Sequence, residues 1–197
     1  EIYRCDWSSD VCSSDLARQG RKPCLVEQVD KHRWRIRCSG RGALTLSWKV
    51  YAFDASVRTA WLDARRGFFN TGSLCLRVEG REHEPQRLSL GELPKGWQVA
   101  TAMPATGGAR AKQWLAADYD ELIDHPFELG PFWRGRFEAC GVEHEFVVAG
   151  ALPGFDGERL LADTRTICEA QIRFWHGEER PPFDRYVFML AAVDEGY

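Results

Sequence analysis

The sequence predicts a mainly β protein: an antiparallel, sandwich-like β domain, followed by one helix and one strand that begin a second, α+β region. Three observations carry this reading. Apolar and polar residues alternate with period 2 through much of residues 34–150; an amphipathic 3.6-residue period replaces that pattern after Gly154; and a continuous apolar run, YVFMLAAV at 186–193, comes last.

Residues 5–16 (CDWSSDVCSSDL) are rich in Ser and Asp, without either period and without an apolar face. The string resembles the translation of a sequencing-adapter oligonucleotide. Residues 1–16 are therefore set aside from the fold as adapter-derived or disordered. Trp34, Ile36 and Cys38 then alternate with Arg33, Arg35 and Arg37. After Ser39-Gly40-Arg41-Gly42, Leu44, Leu46, Trp48, Val50 and Ala52 alternate with polar neighbours, and the two runs read as a hairpin. Leu74, Leu76 and Val78 give a third strand stopped by Gly80. Trp97, Val99 and Thr101 give a fourth, entered through Pro94-Lys95-Gly96. Residues 104–111 (PATGGARA) read as a loop, and 118–123 as one or two helical turns ended by Asp124-His125-Pro126. Residues 132–139 and 143–149 flank a short Gly-containing hairpin connection at Cys140-Gly141-Val142.

The second region opens with Asp156 as an N-cap and Glu158 in the first turn. Leu160, Leu161, Thr164, Ile167, Cys168 and Ile172 share one helical face, and Gly177 is the stop. The run 186–193 reads as a strand buried on both faces. A helix and a buried strand with nothing after them to cover either predict the start of a further domain, so the expected division is 1–16, 17–152 and 153–197.

Composition narrows the function classes. No run of eighteen apolar residues is present, so no spanning helix and no membrane partner are expected. The formal charge is −3. Glu1, Asp6, Asp10 and Asp15 against the single Arg4 account for it, so the rest of the chain is neutral and offers no basic face for nucleic acid. Beyond residue 16 the cysteines are Cys24, Cys38, Cys75, Cys140 and Cys168, without a CxxC; they read as scattered small hydrophobes in a reduced, cytoplasmic setting. His83-Glu84 and His144-Glu145 do not continue into a His-Glu-x-x-His zinc helix, since position 87 is Arg and position 148 is Val.

Three blocks carry a family resemblance. KVYAFDASVRTAWLDARRGFF at 49–69, GWQVAT at 96–101 and DYDELIDHPFELG at 118–130 resemble, in order and spacing, the N-terminal domain of the glycyl aminopeptidases, metallopeptidase family sixty-one. With Arg185-Tyr186-Val187-Phe188, the likeness runs from about Val29 onward. The resemblance implies a zinc-dependent aminopeptidase that removes N-terminal glycine or another small residue. Its zinc would be held by two histidines and a glutamate, with a second glutamate as general base. None of those ligands is matched here, so no catalytic or metal residue is assigned and this chain alone is expected to be inactive and zinc-free. The strand 186–193 would open a truncated thermolysin-like catalytic domain, with a PDZ-type domain downstream as in relatives. The β domain would wall one side of the cleft, so that the partner is a peptide N-terminus.

Within the 118–130 block, Glu128 is the candidate substrate-binding residue, a carboxylate for the substrate ammonium. Asp118, Asp120, Glu121 and Asp124 read instead as caps and solvation of a short helix. A stand-alone β-sandwich module that binds a peptide or glycan through exposed aromatics is the alternative from a different class.

Overall fold

The computed structural model describes residues 2–4, 17–107 and 112–193. The first elements are β1 (Ile2–Arg4), β2 (Ala17–Gln19), β3 (Lys22–Pro23), β4 (Leu25–Gln28), β5 (Arg33–Arg37), β6 (Leu44–Leu46), β7 (Ala60–Leu62), β8 (Gly67–Phe69), α1 (Thr71–Leu74), β9 (Leu76–Val78) and β10 (Gln86–Ser89). There follow β11 (Gln98–Ala100), β12 (Ala105–Thr106), β13 (Gln113–Ala116), α2 (Tyr119–Ile123), β14 (Phe127–Gly130), β15 (Trp133–Ala139), β16 (Val142–Ala149), α3 (Gly157–His176) and β17 (Arg185–Ala191). The protein is mainly β, in several sheets of largely antiparallel pairing, with one long helix, as the alternation predicts. The string at 5–16 lies outside the described residues, whereas Ile2–Arg4, set aside with it, form a strand paired with β5 and β9.

Two compact units are present: Glu1–Glu92 with Met103–Phe127, and Leu93–Ala102 with Glu128–Tyr197. In the first, β4, β5, β1 and β9 form one sheet in that order. The expected hairpin between the 34–38 and 44–52 runs does not form: β5 pairs with β4 and β1, while β6 pairs with β2. Alternation identifies a strand but not its neighbour. The Gln19 side chain fixes the choice here. Its amide donates to the carbonyls of Gly40 and Gly42 at 3.1 and 2.9 Å and accepts from Ser39 N at 3.1 Å, which ties the 39–42 bend to β2. Regular strand ends at Leu46, and Trp48, expected in the core, is partly exposed with its indole donating to Leu74 O at 3.0 Å.

Leu74 closes α1 and does not open β9. Around α2, Thr71 Oγ1 donates to Leu122 O at 2.5 Å, and the backbone N–H of Tyr119, an almost fully buried residue, donates to Glu82 O at 2.8 Å. Phe127 stacks on Phe69 and meets the edge of Trp114, with centroids 5.0 and 5.1 Å apart. Part of the loop expected at 104–111 is strand β12, paired with β13, and residues 108–111 lie outside the described ones.

In the second unit β15, β16 and β17 form a sheet in that order. Ala139 and Val142 are partners, so the connection is Cys140-Gly141 alone, with φ of 48° and 75°, and Val142, expected within it, opens β16. Positive φ at both positions is the type I′ hairpin geometry whose twist matches that of strands. From β16 the chain crosses through α3 and returns parallel as β17. The helix begins and ends where its chemistry dictates: Asp156 accepts from Arg159 N at 2.9 Å, and Gly177 at φ 60° closes it.

Gly157 lets α3 approach β15 closely, since a Cβ there would stand 2.2 Å from Cζ2 of Trp133. Because α3 packs on β15, the strand β17 is not buried on both faces. Val187 and Met189 pack on a core of Ala100, Phe132, Val147 and Ala149, while Tyr186 and Leu190 on the other face remain 46% exposed. Ile167, expected on the buried side of the helix, is exposed, as are Phe174 and Trp175.

Candidate functional site

Glu128 lies on β14, opposite Ala100 of β11 in an antiparallel pair. All four residues of β14 are buried, and Glu128 is 0% exposed. The 118–130 block divides between the two units: α2 belongs to the first and Glu128 to the second. The acids before it cap the helix as expected. Asp118 accepts from Glu121 N at 2.8 Å, and Glu121 reaches back to accept from Ala117 N, a reciprocal cap that satisfies two donors at the helix start. His125 lies 3.9 Å from Glu121. Burial holds its imidazole pKa below the ordinary value, against the opposing pull of Glu121 and Asp124.

A second buried carboxylate enters the sequence reading only as half of the rejected His144-Glu145 pair. Glu145, at the middle of β16, is 0% exposed. Arg134 Nε stands 3.3 Å away, Arg136 Nε 3.0 Å and Arg185 Nη2 2.9 Å. Arg134 also donates to Val99 O at 2.6 Å and covers the Phe132 ring at 5.2 Å. Burial draws its guanidinium below the usual pKa, with Glu145 opposing. The signal was available: once Ala139 and Val142 close the hairpin, register alone sets Arg136 opposite Glu145. Arg185 comes from the parallel strand, whose register no turn fixes.

His144, next to Glu145 in sequence, points to the other face of the strand, because successive side chains alternate. Its Nδ1–H donates to Val142 O at 2.9 Å, and its ring is buried among Phe137, Phe183, Tyr186 and Phe188.

The first unit carries an exposed aromatic groove of about 370 Å³, lined by Val50, Tyr51, Ala52, Phe53 and Leu62. Tyr51 is 70% and Phe53 57% exposed, and Phe53 stacks on Trp61 with centroids 4.4 Å apart. Leu62 N donates to Ala52 O and Asp54 N to Ala60 O. Phe53 and Trp61 are thus a non-hydrogen-bonded pair, and the Phe53 backbone N–H and C=O face away from β7.

Zinc of a peptidase needs three or four converging His, Glu or Cys donors. Among the described residues no group of three or more such side chains is placed to hold a metal ion. His144 is committed to Val142 O and its aromatic neighbours, and Glu145 to three guanidiniums, so the described residues do not fit that metal.

Comparison with known proteins bears on the family and the fold. The family model described as the peptidase M61 N-terminal domain matches residues 7–131. A crystal structure of an aminopeptidase N family protein from Idiomarina loihiensis is similar at 38% identity and a TM-score of 0.84, covering 92% of this chain. The match covers 31% of that protein, so this chain spans about a third of its length. A search of curated proteins found no match. With most of its length under that family model and a related fold over nearly all of it, the chain belongs to the peptidase M61 family, through its N-terminal domain.

Proposed function

We propose that this chain forms the substrate-side β portion of a zinc-dependent aminopeptidase that hydrolyses N-terminal glycine or another small residue from peptides. The match of residues 7–131 to the M61 N-terminal domain carries this reading. The zinc ligands would come from sequence other than the described residues, and no step of the hydrolysis is assigned to those residues. Its task is shape and charge: to wall the cleft and to receive the substrate's free amino terminus. Glu128 is the proposed contact. A carboxylate is the natural hydrogen-bond partner of an ammonium group, and Glu128 lies in the 118–130 block that carries the family resemblance.

The test compares the 197-residue chain with the longest polypeptide encoded by the same locus, using glycyl-p-nitroanilide and added zinc. The longer protein is expected to turn over substrate, and Glu128→Gln in it to raise KM more than it lowers kcat. Turnover by the 197-residue chain alone, or stoichiometric zinc kept through dialysis, would overturn the proposal.

The Tyr51–Phe53 groove supports a second reading, a module that holds an extended peptide or a glycan on exposed rings. Trp61 fluorescence reports on it. Saturable quenching by glycyl peptides or oligosaccharides, lost in Phe53→Ala, would favour binding without catalysis.

A further inference from the structure

Thirteen residues separate Cys24 from Cys38 and no sequence motif joins them, yet the fold places them opposite each other. In the β4–β5 ladder Leu25 pairs with Arg37, Val26 with Ile36 and Glu27 with Arg35. One further rung in the same register joins Cys24 to Cys38. At the turn end of the ladder Val29 N donates to Arg33 O at 2.8 Å, which marks that pair as hydrogen-bonded. Pairs alternate in type along an antiparallel ladder, so 28:34, 26:36 and 24:38 are non-hydrogen-bonded. Side chains approach most closely at such positions, and a Cα separation of about 4.5 Å lies within the range a disulfide spans. Both thiols are free; Cys38 is exposed and Cys24 half-buried.

We propose that Cys24 and Cys38 are a thiol–disulfide modification site, closed across the strands by a low-molecular-weight disulfide such as oxidised glutathione. The exposed Cys38 reacts first. After giving its proton to solvent, its thiolate attacks one glutathione sulfur, a mixed disulfide forms, and one glutathione thiolate leaves. The Cys24 thiolate then attacks the Cys38 sulfur, the bond to glutathione breaks, and the second glutathione thiolate leaves. Two protons shed by the protein are taken up by the two leaving thiolates. The protein is oxidised by two electrons and the glutathione disulfide is reduced by two.

Desolvation and the adjacent Cys24 sulfur hold the Cys38 thiol above its ordinary pKa. Thiolate supply therefore limits the first step, and the reaction quickens as pH rises through the weakly alkaline range. The closed bond fastens the end of the ladder at the point where Cys24 N donates to Ala17 O of β2 at 2.8 Å.

The experiment treats the whole chain with oxidised glutathione, quenches with acid, and maps tryptic peptides without reduction. Trypsin cleaves at Lys31, Arg33, Arg35 and Arg37, so a 24–38 bond appears as two linked peptides. The expected result is that linked pair, loss of two titratable thiols, and a rise in Tm of up to about 10 °C that vanishes on reduction. Cys24→Ser is expected to stop at the intermediate, holding glutathione on Cys38 with no rise in Tm. A stable glutathione adduct on Cys38 of the unmutated chain, a bond from either residue to a different cysteine, or no loss of thiols would each overturn the proposal.

Discussion

Replacing Glu145 by Gln removes the charge at the centre of the second unit and keeps the side-chain shape. Three guanidiniums lie within 3.3 Å of the carboxylate, which has no exposure of its own. At an effective dielectric near 20, each contact corresponds to roughly 5 kcal/mol of Coulomb energy, most of it offset by desolvation. The measurable quantity is what remains when one partner is removed: about 3–5 kcal/mol for a buried pair, and under about 1 kcal/mol for an exposed one. Arg136 is 53% exposed and its share is discounted accordingly; Arg134, at 28%, is the more deeply held. We therefore expect Glu145→Gln to cost about 3 kcal/mol and Arg136→Met less than about 1 kcal/mol. With a urea m-value of about 2 kcal/mol/M, the first lowers the unfolding midpoint by about 1.5 M. Adding Arg134→Met to Glu145→Gln should restore part of the loss, because a buried charge no longer lacks its partner. A midpoint shift below about 0.3 M for Glu145→Gln, or an equal cost for Arg136→Met, would refute the reasoning.

Three further outcomes are expected. Gly157→Ala should destabilise by about 1–3 kcal/mol in urea unfolding despite alanine's better helix propensity, because the new Cβ meets Trp133; coupling to Trp133→Leu would confirm the cause. His125 titrates below its unfolded value, so the unfolded chain binds the proton first; stability held above about pH 6.5 is lost as pH falls toward the folded pKa, and His125→Gln should flatten Tm across pH 7 to 5. Burial pushes the Cys75 thiol up to about 11, so in the native chain Cys75 should react with a maleimide at pH 8 far more slowly than Cys38.

Features decided by neighbouring residues were legible in the sequence. Asp118 and Asp156 cap their helices, Gly177 ends α3, and Cys140-Gly141 turns the β15–β16 hairpin, each through chemistry confined to a few positions. Features decided by distant partners were not. The period of residues 33–38 announced a strand, but its pairing with Leu25–Gln28, and with it the meeting of two cysteines, depends on which segment fills the neighbouring place. The apolar run at 186–193 looked doubly buried because nothing in it reveals that α3 settles over β15. For the family, the reach of sequence was greater: three blocks in the right order were enough, and the M61 match agrees with them.

The two units interleave along the chain, which passes between them after Glu92, Ala102 and Phe127. Cutting any one peptide bond between Glu92 and Glu128 therefore leaves at least one unit in two pieces. The same order governs synthesis. The first unit cannot be completed until Phe127 has left the ribosome, and β11 emerges well before β14, the strand it pairs with. A nascent chain halted near residue 100 would thus carry an unpaired strand of the second unit while the first is still incomplete, the stage at which chaperone binding has most to protect.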